Sequence, residues 1–164
     1  MKSFSEDITE YRRQLQKGAV KTAYQGLMTY FDSLRLYLKS KHPDYFLSDV
    51  HYGIMDYTYI YFFPKSFQRQ KLKVIILFSH DTFKFEILLA GYNREAQAKY
   101  WKLFRKKGFN KYNLSKDSTE ADRFLSEVLV TQPDFSNLDT LTSEIEKKTL
   151  LFIETIEAFL EKNL

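Results

Sequence analysis

Two carboxylates carry the most chemistry that this sequence offers: Asp56, opening the run DYTYIYFF, and Glu86, within KFEILLAG. Two acidic side chains converging on a divalent ion, with a lysine beside the attacking water, are the minimum for metal-dependent hydrolysis. Asp56 and Glu86 therefore define a nuclease-like alternative, against the simpler expectation of a solvent-facing or hydrogen-bonded Glu86. The three histidines, His42, His51 and His80, stand at no metal-ligand spacing. Ser79, His80 and Asp81 are triad residue types, but adjacent residues in a turn point in different directions, so no proton relay follows. The five glycines are scattered and form no phosphate-cradling loop. Zero cysteine removes disulfides, thiolate metal sites and thiol nucleophiles together. No catalytic residue, metal ligand or cofactor is expected.

Binding chemistry is better represented. Arg94, Lys99, Lys102, Arg105, Lys106, Lys107, Lys111 and Lys116 face a single acid, Glu95, over residues 94–116. Such a basic stretch displaces counterions from nucleic acid, and exposed aromatics such as Tyr100, Trp101 and Phe104 stack on unpaired bases. The plainer alternative packs those aromatics on a sheet and leaves the lysines solvated. A second candidate lies where Gly91-Tyr92-Asn93-Arg94 leads into the same helix, because free N–H groups at a helix start suit an anion. Tyr57, Tyr59 and Tyr61 alternate along one strand and line a pocket if that face is uncovered. The expected site residues are thus Asn93, Arg94, Tyr57, Tyr59 and Trp101 for a ligand. Lys99, Lys102, Arg105 and Lys106 are expected to meet nucleic acid or another anion. The net charge of +4 conceals an asymmetry: 21 Lys/Arg against 10 Asp/Glu up to residue 116, and 4 against 11 beyond it. An anionic partner for the basic part fits this polarity, and so does neutralisation by the chain's own acidic end.

The elements that must position these groups follow from periodicity. Ser5, Glu6 and Asp7 suit a helix start, and Ile8, Tyr11 and Leu15 fall at helical spacing. Val20, Tyr24, Leu27, Phe31, Leu34 and Leu38 predict a longer helix ended by Pro43. A short strand is expected near 47–51. Residues 56–63 and 71–79 read as strands, and 83–90 returns through a turn at 79–82. Asn93 caps a helix over 94–106. A further helix is expected from Ser118 or Thr119 through Glu127, with Phe124, Leu125 and Val128 apolar; residues 128–130 read as a strand end or a final turn, and a last helix is expected over 138–162. The expectation is a single α+β domain, 1–164, with a three- to four-stranded antiparallel sheet and four to five helices. Aromatic content of 17% excludes a disordered chain.

The run from Phe85 to Arg94, FEILLAGYNR, with Gln97 and Tyr100-Trp101 beyond it, resembles a family of small bacterial proteins of unassigned function. Their pattern is F-E-x-W-L-A-G-x-N-R followed by Q-x-x-Y-W, and the chain departs from it at Leu88. The resemblance implies a bacterial, cytosolic α+β domain and brings no activity or site residue. The order of helix, strands bearing Asp56 and Glu86, and basic helix is loosely similar to the restriction-endonuclease core. There a lysine stands two residues after the glutamate, whereas here Lys84 stands two before it. The N-terminus has no signal-peptide core and no apolar run is long enough to span a bilayer, so a cytoplasmic protein without a membrane partner is expected. The expected function is a non-enzymatic interaction protein working through residues 91–94 and the basic helix.

Overall fold

A Ser3 side chain starts the first helix, α1 (Phe4–Gln16), in the computed structural model, which describes residues 1–118 and 122–164. Ser3 Oγ accepts from Glu6 N, and the Glu6 carboxylate accepts from Ser3 N at 2.6 Å, so each satisfies a free N–H of the other. The cap is therefore two residues earlier than Ser5. Gly18, at φ +85°, turns the chain into α2 (Ala19–Lys41). Of the predicted stripe only the second half is buried, with Tyr30, Phe31, Leu34 and Leu38 inward and Val20 left on the surface.

Two dipeptide strands follow, β1 (Phe46–Leu47) and β2 (His51–Tyr52), both paired to β3 (Tyr57–Phe63). Pro64 ends β3 and caps the one-turn α3 (Lys65–Arg69), where the sequence suggested only a polar connection. Then come β4 (Leu72–Ser79), β5 (Lys84–Gly91), α4 (Arg94–Lys106), β6 (Asn113–Leu114), β7 (Leu125–Val130) and α5 (Leu138–Asn163). The sheet runs β1-β3-β4-β5-β7-β6 with β2 also against β3, every pairing antiparallel. It has seven strands rather than three or four. The largest correction is residues 125–127 of β7, expected as the end of a helix; residues 128–130, which the sequence leaves open between a strand end and a final turn, complete the strand. Thr119 lies outside the described residues. A register shift opposite Phe85 and Glu86 breaks the strand's alternation and leaves Leu129 and Val130 buried together.

The two sheet faces differ in kind. On one, Ile60, Phe62, Ile76, Phe78, Phe85 and Ile87 join the main core with Phe31, Leu34 and Leu38 of α2 and Phe152, Ile153 and Ile156 of α5. Tyr100 and Phe104 of α4 and Phe67 of α3 enter the same cluster. The other face carries a smaller buried cluster, Ile75, Leu77, Leu88 and Ala90 with Tyr59 and Tyr61, to which no helix contributes among the described residues. Helices α2 and α5 are pinned where Tyr37 Oη donates to Glu146 at 2.6 Å and His42 Nε2 meets the other oxygen at 2.7 Å. Burial pushes the Glu146 carboxyl up, but the bonds from Tyr37 and His42 outweigh it and hold the group below its ordinary value.

Candidate functional site

Strand alternation builds the site. Side chains two apart share a face, so Tyr57, Tyr59 and Tyr61 of β3 stand beside Lys73, Ile75 and Leu77 of β4 and Glu86 and Leu88 of β5. The register aligns Tyr59 with Leu77 and Leu77 with Glu86; one step along, Tyr61 meets Ile75 and Ile75 meets Leu88. These residues, with Gly91, Asp122 and Arg123, line a groove of about 280 Å³. Its floor is apolar (Ile75, Leu77 and Leu88) and its rim carries two acids and two bases. Leu88, the residue that breaks the sequence pattern quoted above, lies on that floor.

The tyrosine wall is ordered by ring contacts. Tyr59 and Tyr61 meet edge to face, 5.7 Å between centroids and 81° between planes. His51 of β2 stacks on Tyr59 at 4.8 Å and 11°. The Lys73 ammonium lies 5.2 Å over the Tyr61 ring. Burial raises the Tyr61 phenol above its ordinary value, and the neighbouring Tyr59 and the Asp122 carboxylate add to the rise. Beyond Tyr61 and Lys73 the groove continues into a shallow apolar depression of about 510 Å³ between Phe46, Phe63, Leu72 and Tyr92.

Of the ligand residues expected from sequence, Tyr57 and Tyr59 are in the groove and the others are not. Asn93 is a helix cap: its side-chain oxygen accepts from Ala96 N at 2.8 Å. It borders a separate open depression with Arg69, Lys71, Lys99 and Tyr100. Arg94 is exposed on the first turn of α4. Trp101 is half-buried, its indole N–H donating to Ser115 O at 2.9 Å, and the Arg105 guanidinium lies 5.0 Å over its ring. Asn93 and Arg94 therefore stand apart from the tyrosines, while Gly91 lines their groove and Tyr92 the depression next to it. Lys99, Lys102, Arg105 and Lys106 are exposed along α4, as the sequence implied, with Tyr100 and Phe104 turned into the core.

Asp56 and Glu86 are not brought together. Asp56 precedes Tyr57, so its side chain leaves on the opposite face, and its carboxylate accepts from Ile54 N and Tyr57 N at 2.9 and 2.7 Å. Those backbone bonds, led by Tyr57, hold it below the usual carboxylate range. Its electrostatic neighbour is His80, whose ring meets Thr58 Oγ1 at 2.9 Å on the helix side. Among the described residues no three His, Cys, Asp or Glu side chains gather at metal-binding range. The groove residues that sequence reasoning missed are Lys73, Asp122 and Arg123. Lys73 was legible in principle, because counting back through the 79–82 turn puts it on the tyrosine face. Asp122 and Arg123 arrive through the β6–β7 connection, which has no periodic signature.

Helices on one face of an antiparallel sheet, and a tyrosine-lined groove on the other, define an α+β domain whose second sheet face meets no helix among the described residues. The chain belongs to the family described as domain of unknown function DUF7000, whose model matches residues 4–160. No curated protein and no solved structure matches it. Among the described residues no helix is long and apolar enough to cross a membrane.

Proposed function

We propose that this chain is a binding protein whose working surface is the groove on the uncovered sheet face. One observation carries the reading: among the described residues no helix meets the apolar floor of Ile75, Leu77 and Leu88, and polar groups of both signs converge at its rim. Sites for small ligands are typically concave and apolar with a few placed polar groups. A sheet that buried this face for stability alone would not set Glu86, Lys73 and Arg123 around it. The test uses the amphipathic anionic dye anilinonaphthalene sulfonate and the variant Leu88→Trp, which puts an indole into the groove. The wild type is expected to bind the dye saturably, and Leu88→Trp to bind it about tenfold more weakly while folding normally. Equal affinity in the two proteins would remove the groove from consideration.

A second reading is favoured by α4. Lys99, Lys102, Arg105 and Lys106 are all exposed, and none enters an ion pair among the described residues. An anionic partner such as single-stranded nucleic acid fits such a row of exposed bases. Charge reversal at Lys102, Arg105 and Lys106 is expected to abolish binding of a fluorescent single-stranded oligonucleotide. The wild-type affinity is expected to fall steeply with salt, the log–log slope being about −0.7 per phosphate contacted. Salt-insensitive binding would refute this reading.

A further inference from the structure

We infer that the groove's ligand carries an organic cation, an ammonium or quaternary ammonium group held between Glu86 and the rings of Tyr57 and Tyr59. The inference rests on reading the groove as the binding surface, and it names what that surface selects. Leu77 is flanked in register by Tyr59 on one side and Glu86 on the other. Strands lie about 4.8 Å apart, so the backbones of Tyr59 and Glu86 are separated by roughly 10 Å. Their side chains rise from the same face, with the isobutyl group of Leu77 as floor between them. The groove these side chains line, about 280 Å³ in all, is larger than a trimethylammonium group.

The chemistry of the walls favours a cation there. Glu86 is half-buried beside an apolar floor and enters no ion pair or hydrogen bond among the described residues. A carboxylate in that setting gains most from a positive partner that water does not supply. Opposite it stand tyrosine rings, whose faces are electronegative and attract ammonium groups. His51, stacked almost parallel on Tyr59, fixes that ring from the other side. Tyr59 and Tyr61, near perpendicular, form two walls of a box. The chain already uses one wall in this way, since the Lys73 ammonium lies over Tyr61.

The groove's own bases do not fill the position. Lys73 is four residues along β4 from Leu77, about 13 Å at strand rise, and aligns with Ala90 rather than Glu86. Arg123 is held at the same far end, because Phe124 N donates to Leu89 O at 2.9 Å. Lys84, two residues from Glu86 on its face, makes no ion pair with it. The Gly91 end holds Lys73 and Arg123 together with Asp122, whose carboxylate acts on Tyr61, whereas Glu86 with Tyr57 and Tyr59 forms the other end without a base in ion-pair range among the described residues.

Choline and dimethylbutanol, in which carbon replaces the quaternary nitrogen, separate charge from shape. Titrations followed by tyrosine chemical shifts are expected to show choline binding about tenfold more tightly than dimethylbutanol. Glu86→Gln, which keeps the side chain's size, is expected to erase that preference without weakening dimethylbutanol. Tyr59→Leu is expected to weaken choline selectively. Equal affinities for the two probes in the wild type, a preference unchanged in Glu86→Gln, or no choline binding by a protein that takes up the dye would each overturn the cation. In those outcomes the groove reading stands. Dye binding indifferent to Leu88→Trp overturns the groove, and this inference with it.

Discussion

Replacing Gly91 by alanine is expected to lower the stability of the fold by about 3 kcal/mol, the upper range for overpacking a filled site. Gly91 ends β5 two residues before the cap of α4. A Cβ there would lie 2.2 Å from Gln97 N, 2.6 Å from Gln97 Cα and 2.8 Å from Ala96 C. All three are backbone atoms of the helix, so no rotamer change relieves the clash; strand and helix must separate. Separation would stretch the bond from Gly91 N to Gln97 Oε1, now 2.9 Å and buried. It would also strain the bond from Tyr92 N to Lys71 O at 2.8 Å. The requirement is close approach alone, since Gly91 is not among the residues with positive φ. Equilibrium unfolding in urea checks it: the midpoint should fall with little change in slope. A loss under about 0.5 kcal/mol, the size of an ordinary surface substitution, would show that the junction gives way freely. Because Gly91 also borders the groove, the variant should lose dye affinity as well.

That junction was legible as a sharp exit, and its partner was not. The sequence puts Gly91 and Asn93 where a strand must turn into a helix, and both do that work. Nothing in the spacing says that Gln97 turns back to receive the Gly91 N–H, because the bond depends on how closely the helix returns to the strand. The same division holds elsewhere. Alternation in residues 57–63 and 84–91 places the inward residues of the central strands correctly. It fails at β1, β2 and β6, each two residues long and too short to show a period. The helix expected through Glu127 fails at the start of β7 because Phe124 and Leu125 are both buried, and two successive inward residues look helical.

The candidate site divides along the same line. Tyr57 and Tyr59 were readable as one strand face, but whether that face is free depends on where the helices go. Four of the five helices enter the main core on the opposite side, and this leaves the tyrosines uncovered. Asp56 and Glu86 looked equivalent as acids in strands. Parity separates them: an odd count along β3 and the hairpin register put Glu86 with Tyr57 and Tyr59, and Asp56 behind them. The lysines of α4 face solvent as expected. Their aromatic neighbours stay inside, so stacking on bases would fall to Trp101 alone, and that ring is engaged with Arg105 and Ser115.

Phe104→Ala is expected to be the costlier truncation, about 4 kcal/mol, as for other fully buried phenylalanines. Its ring is wholly inaccessible and touches three others: Phe159 at 4.3 Å, Phe109 at 4.9 Å and Phe124 at 5.5 Å. These belong to α5, the loop after α4 and the lead into β7, so one side chain holds three segments against the basic helix. Removing it leaves a cavity that only concerted movement of α4 and α5 could close, and both helices are anchored elsewhere in the core. Thermal unfolding should drop by roughly 10 °C for a domain of this size. Phe83 is an internal control: 61% exposed in the hairpin turn, it should tolerate the same change within about 0.5 kcal/mol. The consequence for binding follows from Phe124, whose N–H and carbonyl hold it between Leu89 and Ser115. With Phe104 gone, Phe124 loses one of its two ring partners, keeping Tyr100, and Arg123 beside it loses a fixed place at the groove's Gly91 end. Phe104→Ala should therefore weaken dye binding although Phe104 lies on the far side of the sheet. Undiminished affinity in a measurably destabilised protein would show that Arg123 contributes nothing to the groove.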